Sequence, residues 1–138
     1  MITFIVEGKP QGKARARTFY DKRVGKMRSV TPEQTKSYED LIRWSYKAAG
    51  GQYMGEKTLQ VDIQAFYPIP QSFSKAKRND AIFERIRPTT KPDLDNCAKA
   101  VLDALNGVAF YDDSQVVDLT IRKFYGKTGY LKITIKEI

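Results

Sequence analysis

Residues 59 to 67 place Leu59, Val61, Ile63, Ala65 and Tyr67 at every second position, with Gln60, Asp62 and Gln64 between them. Successive side chains of an extended chain point to opposite faces, so this segment predicts a strand with one apolar and one polar face. The same period returns at residues 130 to 136, where Leu131, Ile133 and Ile135 alternate with Lys132, Thr134 and Lys136. Two one-faced strands need an apolar cover. A stripe at helical spacing supplies it, with Leu94, Ala98, Val101, Leu102 and Leu105 on one side of a helix predicted over 95–105 and ended by Asn106-Gly107. These patterns restrict the chain to a sheet packed by helices.

The remaining segments complete that outline. Residues 2–7 read as a short β-branched and aromatic strand stopped by Gly8 and Pro10. Thr31-Pro32-Glu33-Gln34 reads as a helix start, with a capping hydroxyl, proline at the first helical position and glutamine where a capping box wants it. That helix runs to Gly50-Gly51, with Tyr38, Leu41, Ile42, Ser45 and Ala49 inward and Lys36, Glu39, Asp40 and Arg43 toward water. Ser74 predicts the cap of a short helix to about residue 84, and the two prolines of 87–92 predict an extended stretch. Strands are expected at 116–124 and 130–136, joined as a hairpin. The expected fold class is α+β: one domain over all 138 residues, a mixed four-stranded sheet with two main helices, and two basic loops.

Composition narrows the chemistry. The chain has no histidine and one cysteine, Cys97. Zinc sites, Ser-His or Cys-His nucleophiles and histidine acid-base catalysis are therefore excluded, leaving carboxylates, lysine and a hard cation for any hydrolysis. A net charge of +8 points to a polyanionic partner. The charge is concentrated in residues 9–28, which carry eight lysines and arginines against Asp21 alone, and in residues 71–92. Lys9, Lys13, Arg15 and Arg17 from the first loop, with Lys75, Lys77, Arg78 and Lys91 from the second, are the expected phosphate contacts. No apolar run approaches the roughly 20 residues of a membrane span and the N-terminus lacks a signal-peptide layout, so a cytoplasmic protein with no membrane partner is expected.

Within this basic chain, residues 93–118 hold Asp93, Asp95, Asp103, Asp112, Asp113 and Asp118 against Lys99 alone. Asp93 and Asp95 are two residues apart at a helix entrance, so both can point one way while Leu94 turns to the core. Lys99 lies four residues after Asp95, on the same helix face. Asp112-Asp113 follows the turn after the helix. Such oxygens suit Mg²⁺, with Mn²⁺ as a substitute. Simpler roles compete: an aspartate opening a helix is commonly its cap, Asp-Asp after a turn commonly shapes that turn, and Lys99 can pair with Asp95 or Asp103.

The run from Lys91 to Asp118, with Asp-Leu-Asp-Asn at 93–96, Lys99, Leu-Asp-Ala-Leu at 102–105 and Asp-Asp-Ser-Gln at 112–115, resembles the signature of the RusA family of Holliday-junction resolvases. Gly8-Lys9-Pro10, Arg15-Ala16-Arg17 and the Thr31-Pro32 start resemble the N-terminal half of phage-type members. The resemblance implies a homodimeric, Mg²⁺-dependent endonuclease without organic cofactor that nicks four-way DNA junctions symmetrically. It implies that Asp93, Asp95 and Asp113 are the metal ligands and Lys99 the catalytic lysine. The chain departs from the family pattern at Cys97, where leucine is common, at Ala16, where proline is frequent, and in residues 71–90, which the shortest members lack. A non-catalytic branched-DNA-binding protein and a less selective flap or fork nuclease are the alternatives. Tyr20, Phe73, Phe83, Phe110 and Tyr111 are candidate interface or wedge aromatics whose ordinary alternative is packing.

Overall fold

The computed structural model describes the backbone of residues 1–13, 17–30 and 32–138 and, Arg17 apart, their side chains. Arg15 and the Thr31 hydroxyl, both singled out above, lie outside the described residues, as does the side chain of Arg17. In chain order the elements are β1 Ile2–Glu7, β2 Arg17–Asp21, β3 Lys26–Val30, α1 Glu33–Ala48 and β4 Leu59–Pro68. They continue with α2 Lys75–Ile82, α3 Leu94–Leu105, a 3₁₀ turn Asp113–Gln115, β5 Val116–Gly126 and β6 Tyr130–Glu137.

The main sheet has four strands in the order β1-β6-β4-β5, as expected of a mixed α+β fold. β6 is antiparallel to both β1 and β4, while β4 and β5 run parallel, so the hairpin expected of β5 and β6 is not formed: β4 lies between them, and its all-apolar inner face takes the central position. Parallel neighbours need a crossover connection, and the chain provides it through α2 and α3. The alternation in β4 is realised without exception: Leu59, Val61, Ile63, Ala65 and Tyr67 are buried and the residues between them are not. Val101, Ala104 and Leu105 of α3, with Tyr38, Ile42 and Tyr46 of α1, cover this face and close one core. No helix among the described residues is long and apolar enough to cross a membrane.

Several local expectations are corrected. Helix α1 begins at Glu33 with Pro32 as the flanking residue. Its inward stripe uses Tyr46, and Ala49 is exposed past the helix end. Glu39 does not face water, because Lys13 and Arg43 bind it from either side. The first basic segment is not wholly loop, since β2 and β3 form a two-stranded antiparallel sheet of their own. Its exposed Phe19, Tyr20 and Met27 gave no core pattern to read. What holds the ribbon is its turn: Asp21 accepts from Arg23 N, Arg23 Nε and Arg28, and Gly25 takes the left-handed conformation at φ 65°. Those bonds, Arg28 first, hold the Asp21 carboxyl below the usual range. Phe110 is fully buried, whereas Tyr20, Phe83 and Tyr111 are exposed.

Candidate active site

Helix α3 presents its N-terminus at the ends of β4 and β5 where those parallel strands finish, the usual location of a ligand site in such sheets. Three contacts hold that N-terminus. The buried Tyr67 hydroxyl donates to the Pro92 carbonyl at 2.7 Å, fixing the residue before Asp93 to β4. Lys123 of β5 donates to the Thr90 carbonyl at 2.7 Å and stands 5.1 Å over the Tyr67 ring. The N-terminal segment docks from the other side, with Lys13 N donating to Asn96 O at 3.3 Å. A Cβ at Gly12 would stand 3.0 Å from the side chains of both Pro92 and Asn96, tighter than ordinary contact, so a larger residue there would push against the start of α3. Behind α3, Cys97 is fully buried near Tyr67 Oη at 3.9 Å, and burial pushes its thiol pKa up, which makes it a packing residue.

The six aspartates between 93 and 118 divide into two groups. Asp103 pairs with Lys13 at 3.1 Å, and Asp118 accepts from Gln60 at 3.0 Å. Asp112 caps the 3₁₀ turn by accepting from Ser114 N, while Gln115 Oε1 accepts from Asp112 N in return. The Ser114 bonds hold the Asp112 carboxyl below its usual range. Asp112 therefore shapes the turn. Asp93, at the cap position of α3, makes no side-chain cap bond, and Asp95 and Asp113 take no side-chain hydrogen bond or ion pair among the described residues. Lys99 is exposed and pairs with neither Asp95 nor Asp103.

Asp93, Asp95 and Lys99 thus share one end of α3, and Asp113 does not join them. It precedes β5, whose first residue Val116 pairs with Leu59 at the start of β4, whereas Pro92 is bonded to Tyr67 near the end of β4. A helix of 12 residues, about 18 Å long, separates the two ends. Consistently, no three His, Cys, Asp or Glu side chains among the described residues are close enough to hold a metal ion together. The two carboxylates at α3 nevertheless suit Mg²⁺, which binds through one or two carboxylates and completes its shell with water and substrate oxygens.

The predicted phosphate contacts divide as well. A groove of about 460 Å³ beside Asp93 is lined by Lys9, Lys13 and Lys91. A second, of about 800 Å³, adjoins it through Lys9 and carries Arg78 and Lys127. Lys75 is exposed on α2, and Lys77 stands 4.3 Å over the Phe73 ring. Arg78 donates to the Pro70 and Gln71 carbonyls. Lys13 is committed inside the chain, 2.6 Å from Glu39 and 3.1 Å from Asp103. Burial alone would lower its pKa, but the hydrogen bonds it donates to those two carboxylates, with their charge, outweigh it and the net shift is upward. Lys123 and Lys127 were missed in the sequence. For Lys123 a signal existed, since it occupies a register position on the covered face of β5 opposite Ala65, between Ile121 and Tyr125, where an apolar residue belongs.

The chain is 34% identical over 139 residues to the uncharacterised protein YqaN of Bacillus subtilis (strain 168), covering 99% of this chain and 96% of that protein. Residues 7–136 match the family described as endodeoxyribonuclease RusA. With nearly its whole length inside that match, the chain belongs to the RusA family of endodeoxyribonucleases.

Proposed function

We propose that this chain is a Mg²⁺-dependent endonuclease that resolves four-way DNA junctions by paired, symmetric nicks, acting as a homodimer in recombination and repair. The observation that supports it best is the division of the aspartates. Among six in 26 residues, the three engaged in caps and pairs are Asp103, Asp112 and Asp118, and the three left uncommitted are Asp93, Asp95 and Asp113. Two of these, Asp93 and Asp95, are exposed at one end of α3 beside a groove lined by Lys9 and Lys91, and free carboxylate oxygens next to a basic surface fit a cation-binding role.

In this reading Asp93 and Asp95 would hold the cation, which when bound would lower the pKa of a water and neutralise charge on the scissile phosphate. Lys99, one turn beyond Asp95, stabilises charge developing on the phosphate oxygens. Lys9 and Lys91 bring the DNA backbone to the Asp93 groove. Asp113, about a helix length from Asp93 and Asp95 in the same chain, would need a second copy of the chain to join such a pair. That requirement favours a dimer with two matched sites, as an approximately two-fold junction needs.

A labelled synthetic junction and a matched linear duplex, incubated with the protein with and without Mg²⁺, test the reading beside Asp95→Asn. Paired nicks in the junction that require both Mg²⁺ and Asp95 are expected. Asp95→Asn should retain junction binding, because the lost charge faced phosphate. Binding without cleavage by the unaltered protein under any divalent metal would refute the assignment.

A further inference from the structure

The face of the main sheet turned away from α1 and α3 bears a pattern unrelated to the carboxylates. Strand register arranges its side chains in rows running across all four strands. One row is Glu7, Tyr130, Phe66 and Phe124, and the next is Ile5, Lys132, Gln64 and Arg122. A third is Thr3, Thr134, Asp62 and Thr120. All of these except Phe124 are exposed or half-buried.

The first row is a continuous aromatic stack. Phe66 and Tyr130 lie 4.4 Å apart at 16°, and Phe66 and Phe124 lie 5.4 Å apart at 25°. The Arg87 guanidinium closes the Phe124 end at 4.6 Å. At the other end Tyr130 borders a hollow of about 330 Å³ with Ile5, Glu7, Thr128 and Lys132. Lys132 and Lys136 lie on the same face of β6 and take no ion pair among the described residues.

We propose that this face binds an unpaired stretch of DNA, with a base stacked on Tyr130 in the hollow and its phosphates on Lys132 and Lys136. Stacking on an aromatic ring recognises any base by its π-face, and free lysines beside the ring complement the backbone charge. A second copy of the chain is a poor occupant. The face of a sheet sandwich is apolar, and here the second and third rows hold Ile5 as their only apolar side chain. Phe66 adjoins Tyr67, whose hydroxyl holds the Pro92 carbonyl next to Asp93, so the stack and the carboxylates share one end of the sheet. The inference rests on the nuclease reading for the identity of the polymer and is tested without cleavage.

The test is fluorescence anisotropy of a labelled oligo(dC) with the full chain in EDTA, together with light scattering for molecular mass. The unaltered protein is expected to bind, and Tyr130→Leu and Phe66→Leu, which keep apolar bulk, should weaken it by about fivefold to a hundredfold. Lys132→Gln, an exposed substitution that spares the core, should lower the log-log salt slope by about 0.7. Oligonucleotide binding unchanged in all three variants overturns the proposal. So does junction binding without any oligo(dC) binding, which would leave the nuclease reading standing. A Tyr130→Leu protein that loses dimer mass while keeping its oligo(dC) affinity overturns it too, making the face a contact between copies. Absence of cleavage by the unaltered protein with Mg²⁺ would instead remove the nuclease reading and leave the oligonucleotide result intact.

Discussion

Replacing Lys13 by methionine separates a structural from a DNA-contacting role for the first basic segment. The Lys13 ammonium stands 2.6 Å from Glu39 and 3.1 Å from Asp103, with the three side chains 23%, 13% and 30% exposed. Those exposures place the cluster between an exposed pair, contributing about 0–1 kcal/mol, and a fully buried one, whose breakage costs about 3–5 kcal/mol. Methionine retains the stem's packing and removes the charge, leaving Glu39 with Arg43 at 3.8 Å as its remaining partner. A loss of about 2 kcal/mol follows. For a chain of 138 residues that lowers Tm by about 7 °C. Calorimetry measures the shift, and junction binding across a salt series in EDTA measures the contact. Tm should fall while the salt slope stays within about 0.3 of the unaltered protein, whereas Lys9→Gln should lower the slope by about 0.9 and spare Tm. A Lys13→Met protein with unchanged Tm and a slope lowered by about 0.9 would refute the argument.

Two further outcomes follow from the same packing. Tyr67→Phe removes the hydroxyl that holds the Pro92 carbonyl, so stability should drop by about 1 kcal/mol, and single-turnover junction cleavage should slow while junction binding in EDTA holds; unaltered cleavage would show that Asp93 needs no such support. Burial raises the pKa of Tyr38, Tyr46, Tyr67 and Cys97 in the folded chain. The unfolded chain therefore releases these protons first, near pH 8.5 for the thiol and about 10 for the phenols, so stability is full below that range and declines as pH rises through it. Urea midpoints should fall between pH 8 and pH 10.5; a flat profile would contradict the burial described.

What was legible depended on which face of the chain carried the signal. β4, β6 and α3 are amphipathic, and their period alone located the core and put Asp93 and Asp95 at a helix entrance. The β2-β3 ribbon escaped because it has no covered face to impose a period, and its cohesion lies in the Asp21 turn. The competing roles for the aspartates were open in the sequence because spacing does not reveal which oxygens find partners. Asp112 could be assigned to its turn only when the reciprocal bonds with Ser114 and Gln115 were visible. The distance between Asp113 and the α3 pair was equally hidden, since proximity in sequence hides the length of a helix lying between.

The position of β6 bears on how the chain reaches this state. It is the last strand in sequence, yet it lies between β1 and β4 and pairs Ile2 with Ile135 at one side and Val61 with Ile135 at the other. The sheet therefore cannot grow by adding neighbours as synthesis proceeds. Until residues 130–137 emerge, β1 has no partner, and β4 keeps one edge open beside its apolar face. Loop closure over nearly the whole chain precedes the central ladder, which places this protein among slow, high-contact-order folders. A ribosome-stalled fragment ending before residue 130 should accordingly engage chaperones and expose strand β4 to proteases, whereas release of the final eight-residue strand completes the core in a single step.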